Sequence, residues 1–125
     1  MPRWDRDAAA SGPVIRGFTD RGFAIDGGVY QGLFLTPASA HEWRPPALAD
    51  LNEKHLEPVL HIDPAPEFLL LGTGAALAFP PRALIKALDK RGIGLEVMDS
   101  RAAARTWGML RSEERWIVAA IMPLA

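Results

Sequence analysis

The feature that most constrains the fold is a continuous apolar run that ends in a glycine turn and precedes a helical pattern. The run Phe68 to Leu71 contains four large apolar residues in succession. It lacks the alternation of a half-exposed strand and is typical of a strand buried on both faces, at the centre of a sheet. Gly72-Thr73-Gly74 then turns the chain. Pro80-Pro81 suits the start of a helix, and Gly92 suits its end.

A second strand and a second helix follow in the same order. Ile93 to Met98 is the next apolar run. Two strands joined by a helix normally lie parallel through a right-handed crossover, which predicts a βαβ unit. Asp99 and Ser100 carry oxygen acceptors for the free amides of a helix at Arg101 to Leu110. Trp116 to Met122 predicts a last apolar strand.

The N-terminal part is rich in short β-type runs separated by turn residues. A glycine at position 32, inside the third run, predicts a bulge or the close approach of another backbone. The runs predict a three-stranded β-meander at Val14 to Phe18, Phe23 to Asp26 and Val29 to Thr36.

Prolines shape the segment between the meander and the buried strand. Pro45-Pro46 stands where proline is tolerated at the start of a helix, and the apolar spacing predicts a helix to about Leu56. The prolines that follow leave Val59 to Ile62 as at best a short edge segment.

Length and composition limit the domain count and the kinds of partner. The 125 residues suffice for one domain. We expect a single α/β domain at residues 14–125 and a flexible tail at residues 1–13. The net charge of -1 provides no positive field for phosphate backbones, so nucleic acid is disfavoured as a partner. There is no cysteine, which excludes thiolate catalysis and thiolate metal sites.

The sequence predicts neither a membrane span nor a signal peptide. Its longest apolar stretches fall far below the roughly 20 residues that cross a bilayer. The first residues mix arginines with aspartates and lack an apolar core. We therefore expect a cytoplasmic location.

The glycine turn is the candidate ligand site. It lies at the carboxyl end of a strand, where open α/β sheets bind their ligands, and the amides of Gly72, Thr73 and Gly74 suit a carboxylate or phosphate. Asp99 and Ser100 are expected at the same edge, and Arg105 is a candidate partner for an anion. The alternatives are a purely structural turn, helix capping by Asp99 and Ser100, and a solvated Arg105.

No catalytic or metal-binding arrangement is predicted. The three histidines, His41, His55 and His61, lack the spacing that places two imidazoles on one helix face, and surface or capping roles suit them better. No serine is flanked by glycines as in a nucleophile elbow. We expect no cofactor and no metal, and the residues favour a protein that is not an enzyme.

Several of these motifs occur together in one known family. In order, they are Gly28-Val29-Tyr30-Gln31-Gly32, Leu69-Leu70-Leu71-Gly72-Thr73-Gly74, Gly92-Ile93-Gly94-Leu95-Glu96-Val97-Met98, Ala102-Ala103-Ala104-Arg105-Thr106 and Ala119-Ala120. Their combination resembles the family of the mitochondrial respiratory complex I assembly factor 3 and its bacterial relatives of unknown function. The resemblance spans about Val14 to Pro123.

The resemblance implies a three-layer α/β fold with a mixed central sheet and no established catalytic activity. In mitochondrial members it implies help in assembling a membrane-bound oxidoreductase. The chain departs from the family pattern at Trp107-Gly108, where tyrosine and asparagine are usual, and at Glu113-Glu114-Arg115, where Glu-Gly-Arg is usual. The end of the last helix is therefore expected to differ in detail.

Two functions follow as hypotheses. The first is a non-catalytic accessory or assembly factor that binds another protein, with exposed apolar residues such as Trp43 as candidate contacts. The second is a binder of small molecules or anions, or an enzyme, that uses the pocket at the Gly72 to Gly74 turn.

Overall fold

The computed structural model describes residues 12–19, 22–25 and 28–124. Within these residues, two 3-10 helices, Leu48–Asp50 and Glu53–Leu56, precede three α-helices. The α-helices are α1 (Glu57–Leu60), α2 (Arg82–Lys90) and α3 (Ser100–Ser112). The strands are β1 (Ile15–Phe18), β2 (Phe23–Ile25), β3 (Gly28–Tyr30), β4 (Leu33–Leu35), β5 (Ala40–Glu42), β6 (Phe68–Gly72), β7 (Gly94–Met98) and β8 (Val118–Ile121).

The main sheet is mixed and has the strand order β5-β4-β8-β6-β7. Strands β8, β6 and β7 are parallel neighbours, whereas β4 pairs antiparallel with both β8 and β5. The expected βαβ unit is confirmed as β6, α2 and β7. The strand at the centre is β8, not β6 as the apolar run suggested. Both β6 and β8 are buried, so burial alone does not show which of the two strands lies at the centre of the sheet.

The sheet has a core on each face, which confirms three layers. On one face α1, α2 and the 3-10 segment cover the sheet, with Leu69 and Leu71 of β6 in that core. On the other face α3 and the antiparallel β1-β2-β3 sheet pack on Leu70, and Trp107 is fully buried there. A continuous apolar strand is therefore needed at β6, because its side chains alternate between two dry cores.

The expected meander is confirmed, but its third run is split between two sheets. Val29 belongs to β3, whereas Leu33 begins β4 of the main sheet. The split falls at Gly32, where an added Cβ would lie 2.5 Å from the carbonyl oxygen of Trp43. The predicted close approach of another backbone is thus present. Asp26, placed in the second strand by its sequence, lies outside the described residues.

The helix expected from Pro45 to Leu56 is wrong. The chain is extended at Leu51, with φ -69 and ψ 130, between the two 3-10 helices. Asn52 then starts a new turn, because its side chain accepts from the amide of Lys54 and its own amide donates to Nδ1 of His55. Such local side-chain bonds compete with a continuous helix. His55 is thereby confirmed as a capping residue.

Two further elements differ from expectation. Val59 to Ile62, expected as an edge segment, contributes to α1, because Pro58 lies in the first turn, where its missing amide hydrogen is tolerated. Strand β5 was not predicted. It follows a turn in which the Thr36 hydroxyl accepts from the amide of Ser39 at 3.0 Å.

Helices α2 and α3 end in the same hydrogen-bonded motif. The amides of Gly92 and Ile93 donate to Asp89 and Leu88, and the corresponding bonds of α3 join Glu114 to Arg111 and Arg115 to Leu110. The residue at the turn is left-handed in both, with φ 73 at Gly92 and φ 60 at Glu114. Glu114 adopts the conformation that glycine favours.

The described part of the chain begins at Gly12, within the tail expected at residues 1–13. Residues 1–11 of the expected tail lie outside the described part of the chain. Pro13 also belongs to that tail, yet its carbonyl oxygen accepts a hydrogen bond from Nε1 of the buried Trp107 at 3.0 Å. The packing of the domain therefore reaches the start of the described chain.

Candidate functional site

The glycine turn at the end of β6 is closed by hydrogen bonds within the chain. The amide of Thr73 donates to the carbonyl of Met98 at 2.9 Å, and the amide of Gly74 donates to Oγ of Ser100 at 2.8 Å. The carbonyl of Gly74 accepts from the amide of Ser100 at 2.8 Å. In this arrangement the amides of Thr73 and Gly74 both have partners, which suits the structural alternative for the turn.

Ser100 connects three segments at this edge. Its buried hydroxyl accepts from Gly74 and donates to the carbonyl of Met122 at 2.7 Å. Gly72 lies against it, since a Cβ there would be 2.9 Å from Oγ and 3.0 Å from Cα of Ser100. The neighbouring Asp99 caps α3 by accepting from the amide of Ala102 at 2.9 Å. The predicted residues 72–74, 99 and 100 thus meet as a hub of packing and capping.

Arg105 lies apart from this hub. It is exposed on α3 and lines a shallow depression of about 180 Å³ together with Ile15 and Phe18 of β1. The structure therefore brings together five of the six candidate residues, and Arg105 belongs to a different surface.

Thr73 organises the loop that follows the turn. Its hydroxyl donates to the carbonyl of Ala76 at 2.8 Å and accepts from the amide of Ala78 at 3.1 Å. We call residues Ala75–Phe79 the apolar loop, since all five are apolar and exposed. Leu77 is 54% exposed and Phe79 is 73% exposed. In the sequence, this loop is an apolar run that lies between a glycine turn and two prolines. The run has neither the periodicity of a strand nor that of a helix.

A groove of about 840 Å³ lies at the same edge of the sheet and has Thr73 in its wall. We call it the edge groove. Its other walls come from the end of β3, from the stretch after β5, and from the residues after β8. It is lined by Val29, Gln31, Gly32, Glu42, Trp43, Arg44, Pro45, Pro46, Ala47, Leu48, Thr73, Met122 and Pro123. The sequence did not reveal it, because these segments are far apart along the chain.

Trp43 is not an exposed contact residue, which corrects the expectation from the sequence. It is 7% exposed and stacks on Phe34 with ring centroids 4.7 Å apart. It supports the floor of the edge groove from within the core.

The opposite edge of the sheet carries a charge pair. Arg115 donates to Glu67 from Nε at 3.1 Å and from Nη2 at 2.7 Å, just before β6 begins. The hydrogen bonds from Arg115 and from the amide of Trp116 hold the pKa of the Glu67 carboxyl below its ordinary value. The pair joins the start of β6 to the start of β8. It therefore supports the sheet rather than the edge groove.

No helix in the part of the chain that the structure describes is long and apolar enough to span a bilayer.

Several relatives carry the name of an assembly factor. The chain is 34% identical over 116 residues to NADH dehydrogenase (ubiquinone) 1 alpha subcomplex assembly factor 3 of Danio rerio, which covers 92% of this chain and 67% of the relative. It is 30% identical over 116 residues to the factor of the same name in Homo sapiens, covering 92% of this chain and 63% of the relative. The chain thus spans about two thirds of the length of these relatives.

Solved bacterial structures share the fold. A crystal structure of a protein from Bordetella parapertussis superposes with a TM-score of 0.81 at 26% identity, covering 90% of this chain and 97% of that one. An outer membrane protein from Bartonella henselae has a TM-score of 0.78 at 24% identity, covering 90% and 96%. A family model for proteins of unknown function matches residues 15–122, which make up most of the chain. The chain therefore belongs to the DUF498/DUF598 family.

Proposed function

We propose that the chain is a non-catalytic accessory protein that binds another protein during the assembly of a respiratory or other membrane-associated complex. The observation that carries the proposal is the likeness to assembly factor 3 over 92% of the chain. The family match over residues 15–122 includes Trp43 and Thr73, which line the edge groove. A shared fold does not by itself show a shared function, so the proposal rests on the sequence likeness to assembly factor 3.

The edge groove is the surface that we assign to the protein partner. Its volume is about 840 Å³. Its walls combine the apolar Val29 and Leu48 with the charged Glu42 and Arg44. A mixture of apolar and charged groups is typical of the surfaces that bind proteins transiently. Val29 is 60% exposed, so its apolar side chain is accessible in this wall.

The glycine turn supports this proposal indirectly. The amides of Thr73 and Gly74 already have partners within the chain, so the alternative of an anion-binding site there gains no support from the geometry. We assign the turn the task of holding β6, β8 and α3 together beneath the groove. A thermal-shift screen with phosphate and carboxylate ligands at millimolar concentration tests this assignment, and we expect no stabilisation.

The proposed function is tested by deleting the gene in its native cell and measuring the amount of assembled NADH:ubiquinone oxidoreductase on native gels. We expect less assembled complex, at unchanged levels of its subunits' transcripts, and recovery when the wild-type chain is restored. Unchanged amounts of this and other respiratory complexes would contradict the proposal. Fractionation of the same cells tests the proposed cytoplasmic location.

A further inference from the structure

The apolar loop is unusual for a surface segment because nothing covers it among the described residues. From Thr73 to Pro81 the chain contains no charged residue. Leu77 and Phe79 expose 54% and 73% of their surface. Single exposed apolar residues are ordinary, but five in succession at one edge of a domain mark a contact site.

The loop is held in one shape before it meets any partner. The Thr73 hydroxyl bonds both Ala76 and Ala78, and Pro80 and Pro81 fix the chain where α2 begins. A preorganised loop loses little conformational entropy on binding. The exposure of Phe79 is therefore a property of a defined loop shape.

Positive side chains flank the loop. Because β6 and β7 are parallel neighbours, α2 and α3 both begin at this edge, with Arg82 and Arg101 exposed in their first turns. Neither arginine has an ion-pair partner in the part of the chain that the structure describes. Among the described residues near the turn, Glu42 and Arg44 line the edge groove, and Asp99 is used as a cap. The side chains named at this edge therefore carry a net positive charge.

We propose that the apolar loop docks this protein on an anionic lipid bilayer, with Leu77 and Phe79 in the interfacial region and Arg82 and Arg101 at the lipid phosphates. Exposed apolar side chains beside cationic ones are the combination that peripheral membrane proteins use. A loop of five residues is small beside the roughly 800 Å² per partner of a stable protein interface. Insertion into a bilayer needs only a few side chains. This docking is separate from the groove's protein partner.

The geometry limits which charges take part. Helix α2 leads away from the edge, so Lys86 lies about 6 Å and Lys90 about 12 Å along its axis from Arg82. At physiological salt the Debye length is about 8 Å. Arg82 should therefore contribute strongly to lipid binding and Lys90 weakly. The same reasoning applies to α3, where Met109 is exposed but lies more than two turns from Arg101.

The test is co-sedimentation of the purified full chain with lipid vesicles. We expect binding to phosphatidylcholine vesicles that contain about 30% phosphatidylglycerol, weaker binding to pure phosphatidylcholine, and weakening by salt. The double variant Leu77→Ser/Phe79→Ser should bind at least about tenfold more weakly. Arg82→Glu/Arg101→Glu should also bind about tenfold more weakly, to the anionic vesicles in particular. All four side chains are exposed, so the variants should fold, which circular dichroism checks.

Two matched controls separate docking from general surface effects. Met109→Ser removes an exposed apolar side chain away from the loop, and Lys90→Glu reverses a charge at the far end of α2. Both should bind anionic vesicles within about twofold of the wild type. Absence of wild-type binding would overturn the proposal, as would equal binding by Leu77→Ser/Phe79→Ser. A third result would assign the loop to a protein partner instead. In that case the wild type would not bind vesicles, and a loop variant would fail to support assembly of the complex.

Discussion

The side chain of Ser100 accepts a hydrogen bond from the backbone amide of Gly74 at 2.8 Å, 26 residues away along the chain. The same hydroxyl donates to Met122, so one buried side chain joins the end of β6, the start of α3 and the residues after β8. Of these segments, the turn and the residues after β8 line the edge groove, and the turn leads into the apolar loop.

Replacing Ser100 by alanine should destabilise the protein by about 1 to 3 kcal/mol, because it leaves a buried amide and a buried carbonyl without a partner. Urea unfolding measures the change in the free energy of unfolding. Ser112→Ala is the matched control, since the Ser112 hydroxyl also bonds a backbone carbonyl but is exposed. It should change stability by less than about 0.5 kcal/mol. Equal effects of the two substitutions would contradict the assignment of a buried hub.

Gly72→Ala should destabilise the protein by about 1 to 3 kcal/mol through overpacking. The new methyl group would lie 2.9 Å from Oγ and 3.0 Å from Cα of Ser100, and neither atom is free to move. Gly108→Ala provides the control in α3, where no atom lies within 4 Å of the added Cβ. That variant should be stabilised by about 0.5 to 1 kcal/mol, as expected for alanine in a helix. If Gly72→Ala were more stable than the wild type, the close contact between residue 72 and Ser100 would be contradicted.

The helix ends offer a reciprocal pair of substitutions. Gly92→Ala places a side chain at φ 73 in open space, so backbone strain alone should destabilise the protein by about 1 kcal/mol. Glu114→Gly relieves the same strain at φ 60 and should stabilise the protein by about 0.5 to 1 kcal/mol. Thermal unfolding at neutral pH measures both. Opposite signs are required, and a loss of stability in Glu114→Gly would contradict the left-handed turn.

The Glu67–Arg115 pair should make stability depend on pH in the acid range. The folded pKa of Glu67 is lowered by Arg115, so ionised Glu67 stabilises the fold above its ordinary pKa. This contribution is lost as the pH falls through the folded pKa. Glu67→Gln should therefore be less stable than the wild type at about pH 7, and the difference should shrink toward about pH 3.

An Arg115→Gln background is the control for this prediction. Without the guanidinium, the difference between Glu67 and its glutamine variant should depend less on pH, since only the amide of Trp116 still lowers the pKa of the carboxyl. Urea unfolding across the pH range measures all four proteins. A difference that grows on acidification would have the wrong sign.

Local patterns in the sequence predicted the regular part of the fold. The apolar run at β6, the prolines before α2, Gly92 and the Asp99 cap all act within a few residues, and each was found where expected. The helix expected between Pro45 and Leu56 failed because the Asn52 cap competes with it locally. The central place of β8 could not be predicted, because strand order depends on pairing between distant segments.

The candidate site was predicted only in part. The meeting of the glycine turn with Asp99 and Ser100 follows from the parallel βαβ unit, and the structure has it. That the turn amides have internal partners depends on the hydroxyl of Ser100, whose orientation no spacing reveals. The edge groove combines residues from position 29 to position 123, and the burial of Trp43 within it is a tertiary property.

The most direct test of the proposed function is complementation of the deletion strain with groove variants, measured as assembled NADH:ubiquinone oxidoreductase on native gels. We predict that the wild type and the control variant Met109→Glu restore the complex. Val29→Glu, which places a charge in the wall of the edge groove, should weaken partner binding by at least about tenfold, or about 1.4 kcal/mol, and should restore clearly less complex than the wild type. Full restoration by Val29→Glu, at equal protein levels, would contradict binding of the partner at this groove. Normal assembly without any copy of the chain would contradict the assembly role itself.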